Sequence, residues 1–462
     1  MKNGLEYIRR FLKSTGILSV GVILPKVVVF FLLSYNTAHI GTSEYGYYDL
    51  SVSYATMFSY LLFFDIWITT MRFLYERENP EDRDRIVRSG ASIFFFSCIA
   101  YGAVACLIGF FLAPDYLAET VLYGLTQNLV SFYTFSARGF RRDLDFAVSG
   151  LIGSVIMGIA DFLMVGSLQW GIRALYLSAV LGATAQCLYL EFRIPVLHKA
   201  LSVPTDRKLM NEMFRFTFPM GIGAAAFWVL NSLDKILMGH LLDLNASGIY
   251  AVAERLASLI TFAVQVFTYA WQDIAFRHES DDDGAFYTAA SDLYFRFLCL
   301  GILMLMPAVK LVFPYLFTGD YTEASPVIPF AILAAALSGF SLFLGNIFYA
   351  LHETRSSTMT SLISCIVNLA VCYPCIRTFG ISGASIAISI SFAFDSSLKS
   401  LSLRKKIGYR IPFKTLAISC AAVCAGMLIY FKASVPLNLL WASVCLAFFG
   451  LPLLKPFLSG RQ

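Results

Sequence analysis

Charge is scarce in this sequence. Of its 462 residues only 14% are Asp, Glu, Lys or Arg, while 58% are hydrophobic and the mean hydropathy is +0.69. Soluble domains carry roughly 25% charge, so a water-facing exterior is excluded and the chain reads as a polytopic membrane protein. The alternating pattern of a membrane β-barrel is missing too: apolar runs such as 92–113 and 416–431 are unbroken, and barrel strands of about ten alternating residues do not produce them. The membrane-crossing elements are therefore helices. A secreted disulfide framework is excluded by placement, because all ten cysteines (98, 106, 187, 299, 365, 372, 375, 420, 424, 445) fall within apolar runs. Cys372-Tyr-Pro-Cys375 has the spacing of a redox pair, but it sits in an expected span with no βαβ pattern around it, so both thiols read as small apolar residues. The five histidines (39, 198, 240, 278, 352) are dispersed without metal-ligand spacing, and no metal or cofactor is expected.

What is present is a succession of apolar segments separated by charged loops. They place helices near 16–40, 46–72, 91–113, 119–138, 147–168, 174–193, 217–242, 249–276, 291–318, 326–351, 357–376, 383–403, 415–431 and 439–454, fourteen spans in all. The N-terminal stretch carries Lys2, Arg9, Arg10 and Lys13 before an apolar run that continues without a small-residue cleavage site, so it reads as the first span rather than a signal peptide. With the N-terminus in the cytoplasm, 26 of the 35 Lys and Arg residues fall in cytoplasmic segments; the opposite loops hold Arg173, Arg377 and Lys432, and six basic residues lie within spans. That asymmetry supports fourteen spans with both termini inside. The longest internal loops, 73–90 and 194–216, mix both signs, and Asp281-Asp282-Asp283 lacks the spacing of a calcium loop. All three read as solvated connectors. Asn245-Ala246-Ser247 reads as a chance glycosylation sequon.

The first twelve spans repeat. Gly46-Tyr-Tyr48 at the start of the second span matches Gly248-Ile-Tyr250 at the start of the eighth. Asp115-Tyr116 matches Asp320-Tyr321, and Gly171-Ile172 matches Gly380-Ile381, in the same order and at a slowly drifting offset. Six helices separate the copies, an even number, so both have one membrane orientation and form a parallel repeat about an axis along the membrane normal. The expected fold is all-α: two six-helix bundles, 1–200 and 201–405, plus two extra C-terminal helices in 406–462.

The segments Asn231-Ser-Leu-Asp234-Lys235-Ile-Leu-Met-Gly239 and Ala246-Ser-Gly248-Ile-Tyr250-Ala-Val-Ala253-Glu254-Arg255-Leu256 resemble the hairpin of spans seven and eight in the polysaccharide-transporter family. Phe317-Thr-Gly319-Asp-Tyr321-Thr-Glu-Ala324 and Phe379-Gly380-Ile-Ser-Gly383-Ala384-Ser-Ile-Ala387 carry the same resemblance. That family holds the O-antigen, capsular and teichoic repeat-unit flippases of the multidrug/oligosaccharidyl-lipid/polysaccharide exporter superfamily. The resemblance implies a V-shaped pair of six-helix bundles around a central cavity, moving a polyprenyl-diphosphate-linked oligosaccharide from the inner to the outer leaflet. Many repeat-unit flippases have twelve spans. Fourteen is more frequent in the lipid-linked peptidoglycan precursor and sporulation-type branches, so a precursor flippase stands as an alternative.

Ionisable groups inside spans cost about 2.5–3.5 kcal/mol each on insertion scales, so each needs a partner, a wet cavity or a route to the interface. The basic ones are Lys26, Lys235, Arg255, Arg296, Lys310 and Lys399; the acids are Asp65, Asp161, Asp234, Glu254 and Asp395. Arg296 and Lys310 lie near helix ends and read as snorkelling side chains. Asp395 and Lys399, four apart on one helix, read as a pair. Asp234-Lys235 and Glu254-Arg255 lie at similar distances from one hairpin turn, where Asp234–Arg255 and Lys235–Glu254 can form a neutral latch. Neighbouring helix positions point about 100° apart, so one member of each dipeptide is left to face a cavity. Lys26 follows Pro25, a helix-kinking residue, and is either paired with Asp65 or a cavity cation. His39 and His240 match in the repeat and read as interfacial side chains or a pair at a cavity mouth.

A diphosphate requires fixed Lys or Arg donors, whereas an exporter of organic cations requires carboxylates. The resemblance places spans one, seven and eight around the cavity, so Lys26, Lys235 and Arg255 are the expected diphosphate-binding residues, and Asp65, Asp234 and Glu254 the counter-ions or coupling-ion ligands. The expected activity is flipping of a lipid-linked O-antigen, capsule or teichoic-type unit across a bacterial cytoplasmic (inner) membrane by alternating access. The alternative on the same fold is a multidrug/organic-cation antiporter. Short external loops without clustered His argue against a polyprenyl-glycan ligase or polymerase, so no enzymatic activity is expected. Expected partners are the lipid-linked oligosaccharide, membrane lipids, a coupling ion (H+ or Na+), and the polysaccharide polymerase and glycosyltransferases, with no nucleic acid.

Overall fold

The structure, a computed structural model, describes residues 28–77, 79–276, 283–351 and 353–450, and among them the regular elements are all helical. Helix α1 covers 28–39. It is followed by α2 (Thr42–Phe63), α3 (Ile66–Glu76), α4 (Pro80–Leu112), α5 (Leu117–Gly139), α6 (Asp143–Asp161), α7 (Ile172–Arg193) and the short α8 (Val196–Ser202). Then come α9 (Arg207–Leu241), α10 (Leu244–Phe276), α11 (Asp283–Leu316), α12 (Ile328–Ala350), α13 (Thr354–Phe379), α14 (Ile381–Ile407), α15 (Phe413–Lys432) and α16 (Val435–Cys445). Each of the fourteen expected spans overlaps a described helix, and residues 16–27 of the first and 451–454 of the last lie outside the described residues. Nine described helices are long and apolar enough to cross a membrane, and α2 with α3, bent by 47° at their junction, make a tenth. Helix α5 has the length, 23 residues, but too many polar side chains to count among them.

Two stretches read as solvated loops are partly helical. Helix α4 begins at Pro80, well before residue 91, because Asn79 caps it by accepting from the Glu81 amide at 3.2 Å and proline fits its first turn. Helix α8 forms within 194–216: Val196 and Ala200 are buried, and the Glu191 carboxylate accepts from the amides of Leu197 and His198, both at 3.0 Å. Its short amphipathic pattern is hidden in the sequence by surrounding charges. Asp281 and Asp282 lie outside the described residues.

The chain divides into two compact units between Val229 and Leu230, within α9. In unit 1 an aromatic core is built around Phe63, Phe94 and Phe132, with ring centroids 5.1 and 5.2 Å apart. In unit 2 the rings of Tyr294 and Phe343 stack at 4.6 Å, and Trp271 packs tilted against Phe343 at 4.9 Å. The repeat is visible in the backbone. Gly171 before α7 has φ 57°, ψ −137°, and Gly380 before α14 has φ 58°, ψ −137°. Residues with a β-carbon avoid this region, so both halves need glycine at the same turn.

At the start of α13, outside the spans, Lys406 Nζ lies 2.6 Å from Glu353 Oε1, and the ammonium together with the Ser356 hydroxyl holds the Glu353 carboxyl below its ordinary 4.5. A depressed carboxyl contributes stability above its unfolded value and loses it as pH falls through the folded one. The pair is exposed, so the expected effect is small. Glu353→Gln should lower the neutral plateau of the melting-temperature profile slightly and converge on wild type in acid, below the ordinary 4.5, so that its acid limb is flatter. An identical acid limb in both proteins would refute the contribution.

Candidate functional site

The charged hairpin lies in unit 2, where α9 and α10 are joined through Leu242 and Asp243. The Asp243 side chain accepts from the Ala246 amide at 2.7 Å and starts α10. From this turn Lys235 and Glu254 reach each other, Nζ to Oε2 at 2.7 Å, with side chains 16% and 25% exposed. Asp234 is buried and accepts a hydrogen bond from the Tyr250 hydroxyl; its other oxygen is buried without a hydrogen-bond partner among the described residues. One half of the expected latch is present, Lys235–Glu254. In the other half, Tyr250 takes the place of Arg255, whose side chain is exposed. The 100° step between adjacent helix positions produces this split: Lys235 and Glu254 meet, Asp234 turns inward to Tyr250, and the Arg255 side chain is exposed. Tyr250 was marked in the sequence as a repeat position and as part of the family-like hairpin but was given no partner, and a hydroxyl near a buried acid leaves no charge signal to read.

Lys26 lies outside the described residues. Asp65 sits in unit 1, in the break between α2 and α3, where Phe64 and Asp65 both adopt left-handed backbone (φ 50° and 54°). The Thr217 hydroxyl donates to the Phe64 carbonyl at 2.6 Å and satisfies a backbone group released by the break. The Asp65 side chain is buried, and among the described residues no cation or hydrogen-bond donor meets it. Asp161 closes α6, just before a π-helical turn at Phe162–Ser167, and accepts from Asn36 Nδ2 at 2.7 Å and Ser178 Oγ at 3.1 Å.

The remaining charges have structural partners. Lys399 Nζ is 2.6 Å from Asp395 Oδ2, as their spacing predicts, and 2.9 Å from Ser341 Oγ; Asp395 also accepts from the hydroxyls of Ser341 and Ser364. Arg296 pairs with Asp292 at 2.9 Å. Lys310 does not simply snorkel: its ammonium donates to the Tyr430 carbonyl and, at 2.7 Å, to that of Ala433, capping the last turn of α15. Cys372 and Cys375 are unpaired and buried. Among the described residues no three His, Cys, Asp or Glu side chains gather as a metal centre.

The bent second span, the paired units and their repeated glycine turns define a multi-pass membrane fold that has been seen before. A lipid II flippase, MurJ in an inward closed conformation, superposes with a TM-score of 0.73 at 14% identity, covering 96% of this chain and 99% of that one. An inward-facing multidrug resistance MATE family transporter superposes with a TM-score of 0.67, again at 14% identity, over 85% and 98% of the two chains. Residues 11–271, more than half of the chain, match the family model described as polysaccharide biosynthesis protein, and the chain belongs to that family. It is also 22% identical over 351 residues, 74% of this chain and 72% of the other, to a probable low-salt glycan biosynthesis flippase, Agl15, of Haloferax volcanii.

Proposed function

We propose that the protein is a flippase that moves a polyprenyl-diphosphate-linked oligosaccharide, an O-antigen, capsule or teichoic-type unit, across the cytoplasmic membrane by alternating access of two six-helix lobes. Membership of the polysaccharide biosynthesis protein family carries this reading. The hairpin of α9 and α10 supports it with two cationic side chains inside the membrane. Lys235 keeps a partly exposed ammonium against Glu254, an arrangement in which an incoming diphosphate displaces the carboxylate and returns it on release. Arg255, exposed, adds a planar donor suited to phosphate oxygens. Lys26 is proposed as a third cation of this kind, and Asp65 and Asp234 as counter-ions or ligands of a coupling H+ or Na+. The charge asymmetry of the loops supports cytoplasmic termini.

The test is translocation of undecaprenyl-diphosphate-linked oligosaccharide in proteoliposomes of purified protein. Arg255→Ala is expected to insert normally and to lose transport by more than about tenfold, the loss from one charge-assisted hydrogen-bonded contact. Full activity in Arg255→Ala and Lys26→Ala together would overturn the site. A second reading, export of organic cations, is favoured by one observation, the buried Asp65 carboxylate without a cation or donor among the described residues. It predicts drug resistance that depends on Asp65 and ignores lipid-linked sugars. Transport of a lipid-linked peptidoglycan precursor, the remaining alternative, is separated from the first reading by offering both lipids to the same vesicles.

A further inference from the structure

We infer that a cavity within unit 1 receives one monosaccharide ring of the transported glycan and selects among lipid-linked sugars; this rests on the flippase reading above. The cavity, about 240 Å³, lies between α2, the start of α3 and α5. Drug-sized ligands occupy pockets of roughly 300–1,000 Å³, so this one has room for a single pyranose rather than an oligosaccharide.

Its lining has the chemistry of sugar recognition. Ser59, Tyr60, Trp67, Gln127, Asn128 and Ser131 face it, and among the described residues no Asp, Glu, Lys, Arg or His does. A diphosphate would require cations in the wall and an organic cation would require a carboxylate. A pyranose is neutral, with C–H groups on its faces and hydroxyls round its edge. Aromatic rings serve the faces, and amides and hydroxyls serve the edge.

Part of the polar lining is already committed and part is not. Asn128 donates to Ser59 Oγ at 2.8 Å, Ser59 to the Ala55 carbonyl at 2.8 Å, and Ser131 to the Gln127 carbonyl at 3.0 Å. These bonds fix the frame. The side-chain amide of Gln127, the hydroxyl of Tyr60 and the indole N–H of Trp67 bond to no other described residue. Three unspent polar groups of both donor and acceptor character thus converge on one small volume. Asn128 stands at the midpoint of α5, where the bilayer is least tolerant of polar side chains and where transporters place their substrate sites. The polarity of α5, costly as a plain span, is accounted for if the sugar ring is its ligand.

The wall is shaped for the purpose by backbone. The break at Phe64–Asp65 redirects the chain so that Trp67, the second residue of α3, reaches the same volume as Tyr60 on α2. On α5, a β-carbon at Gly124 would fall 2.1 Å from the Tyr101 hydroxyl, so the cavity floor there is bare helix supported by Tyr101.

The experiment is equilibrium binding of the full-length, detergent-solubilised chain to four probes: bare undecaprenyl diphosphate, the same lipid carrying one hexose or one N-acetylhexosamine, and tetraphenylphosphonium. Wild type is expected to bind at least one sugar-bearing lipid about fivefold or more tightly than the bare one, as one or two neutral hydrogen bonds allow. Gln127→Ala and Tyr60→Phe should each lose most of that preference while keeping their affinity for the bare lipid. Ser131→Leu, which fills the cavity, should abolish it. Equal binding of all three lipids by wild type, or a preference that survives in all three variants, overturns the inference and leaves the flippase reading standing. Binding of no lipid by wild type overturns both. If the variants instead lose affinity for tetraphenylphosphonium and keep the sugar preference, the cavity is a cation site and the inference fails. Tyr60→Phe removes a single oxygen, so the outcome does not hinge on a misfolded variant.

Discussion

Lys399→Met is expected to destabilise unit 2 by about 3–5 kcal/mol, the usual cost of removing one partner of a buried ion pair. The side chains of Lys399 and Asp395 are only 5% and 1% exposed. Without the ammonium, Asp395 keeps the hydroxyls of Ser341 and Ser364 but loses the one cation that pairs with it among the described residues. Those hydroxyls stand on α12 and α13, so the pair on α14 joins three helices, and the loss should loosen their packing together. The double variant Asp395→Asn/Lys399→Met removes both charges, and neutral replacement of a buried pair is often tolerated. It should therefore recover the larger part of the loss. Thermal unfolding in detergent reads both effects. A single variant as stable as wild type would show that the pair contributes nothing, and a double variant no better than the single would show that the penalty is not an unpaired charge.

Gly383→Ala is expected to cost about 3 kcal/mol, the upper end for overpacking. A β-carbon at this position would lie 2.1 Å from the Cys375 carbonyl oxygen, 2.5 Å from its carbon and 2.8 Å from Ile376 Cα. These are backbone atoms of α13, so no side-chain rotation relieves the clash and α13 and α14 must separate. Gly102→Ala is the control. It lies inside α4 with nothing within 4 Å of the added carbon, and alanine is the better helix former by up to about 1 kcal/mol, so it should melt with wild type or slightly above it. Equal stability of Gly383→Ala and wild type would mean that the two helices are not held at this distance.

Much of this architecture was legible because the membrane imposes its own grammar. Apolar runs placed the spans, the i, i+4 spacing joined Asp395 to Lys399, and the hairpin's near symmetry brought Lys235 to Glu254. The glycines at 171 and 380 were visible as repeat positions, and their matched dihedral angles give the reason. What escaped was written in neutral residues or in backbone. Tyr250 bonds Asp234 through a hydroxyl that leaves no charge pattern. The break at Phe64–Asp65 has neither proline nor glycine to mark it. Helices α4 and α8 begin among charges that read as loop. The cavity of unit 1 is lined from α2, α3 and α5, and its polar residues, scattered along two spans, acquire a common meaning only when the helices are assembled.

Lys310 gives the order of synthesis a physical consequence. Its carbonyl partners lie 120 and 123 residues further along the chain. At about 5–20 residues per second of translation, roughly 6–24 s separate the emergence of this lysine from that of the helix end that neutralises its hydrogen-bonding demand. During that interval the ammonium, near its helix end, depends on interfacial water in place of those carbonyls. The last two helices thus complete the assembly of a span laid down long before them, and a chain that ends before residue 430 lacks both of the carbonyls that hold this lysine.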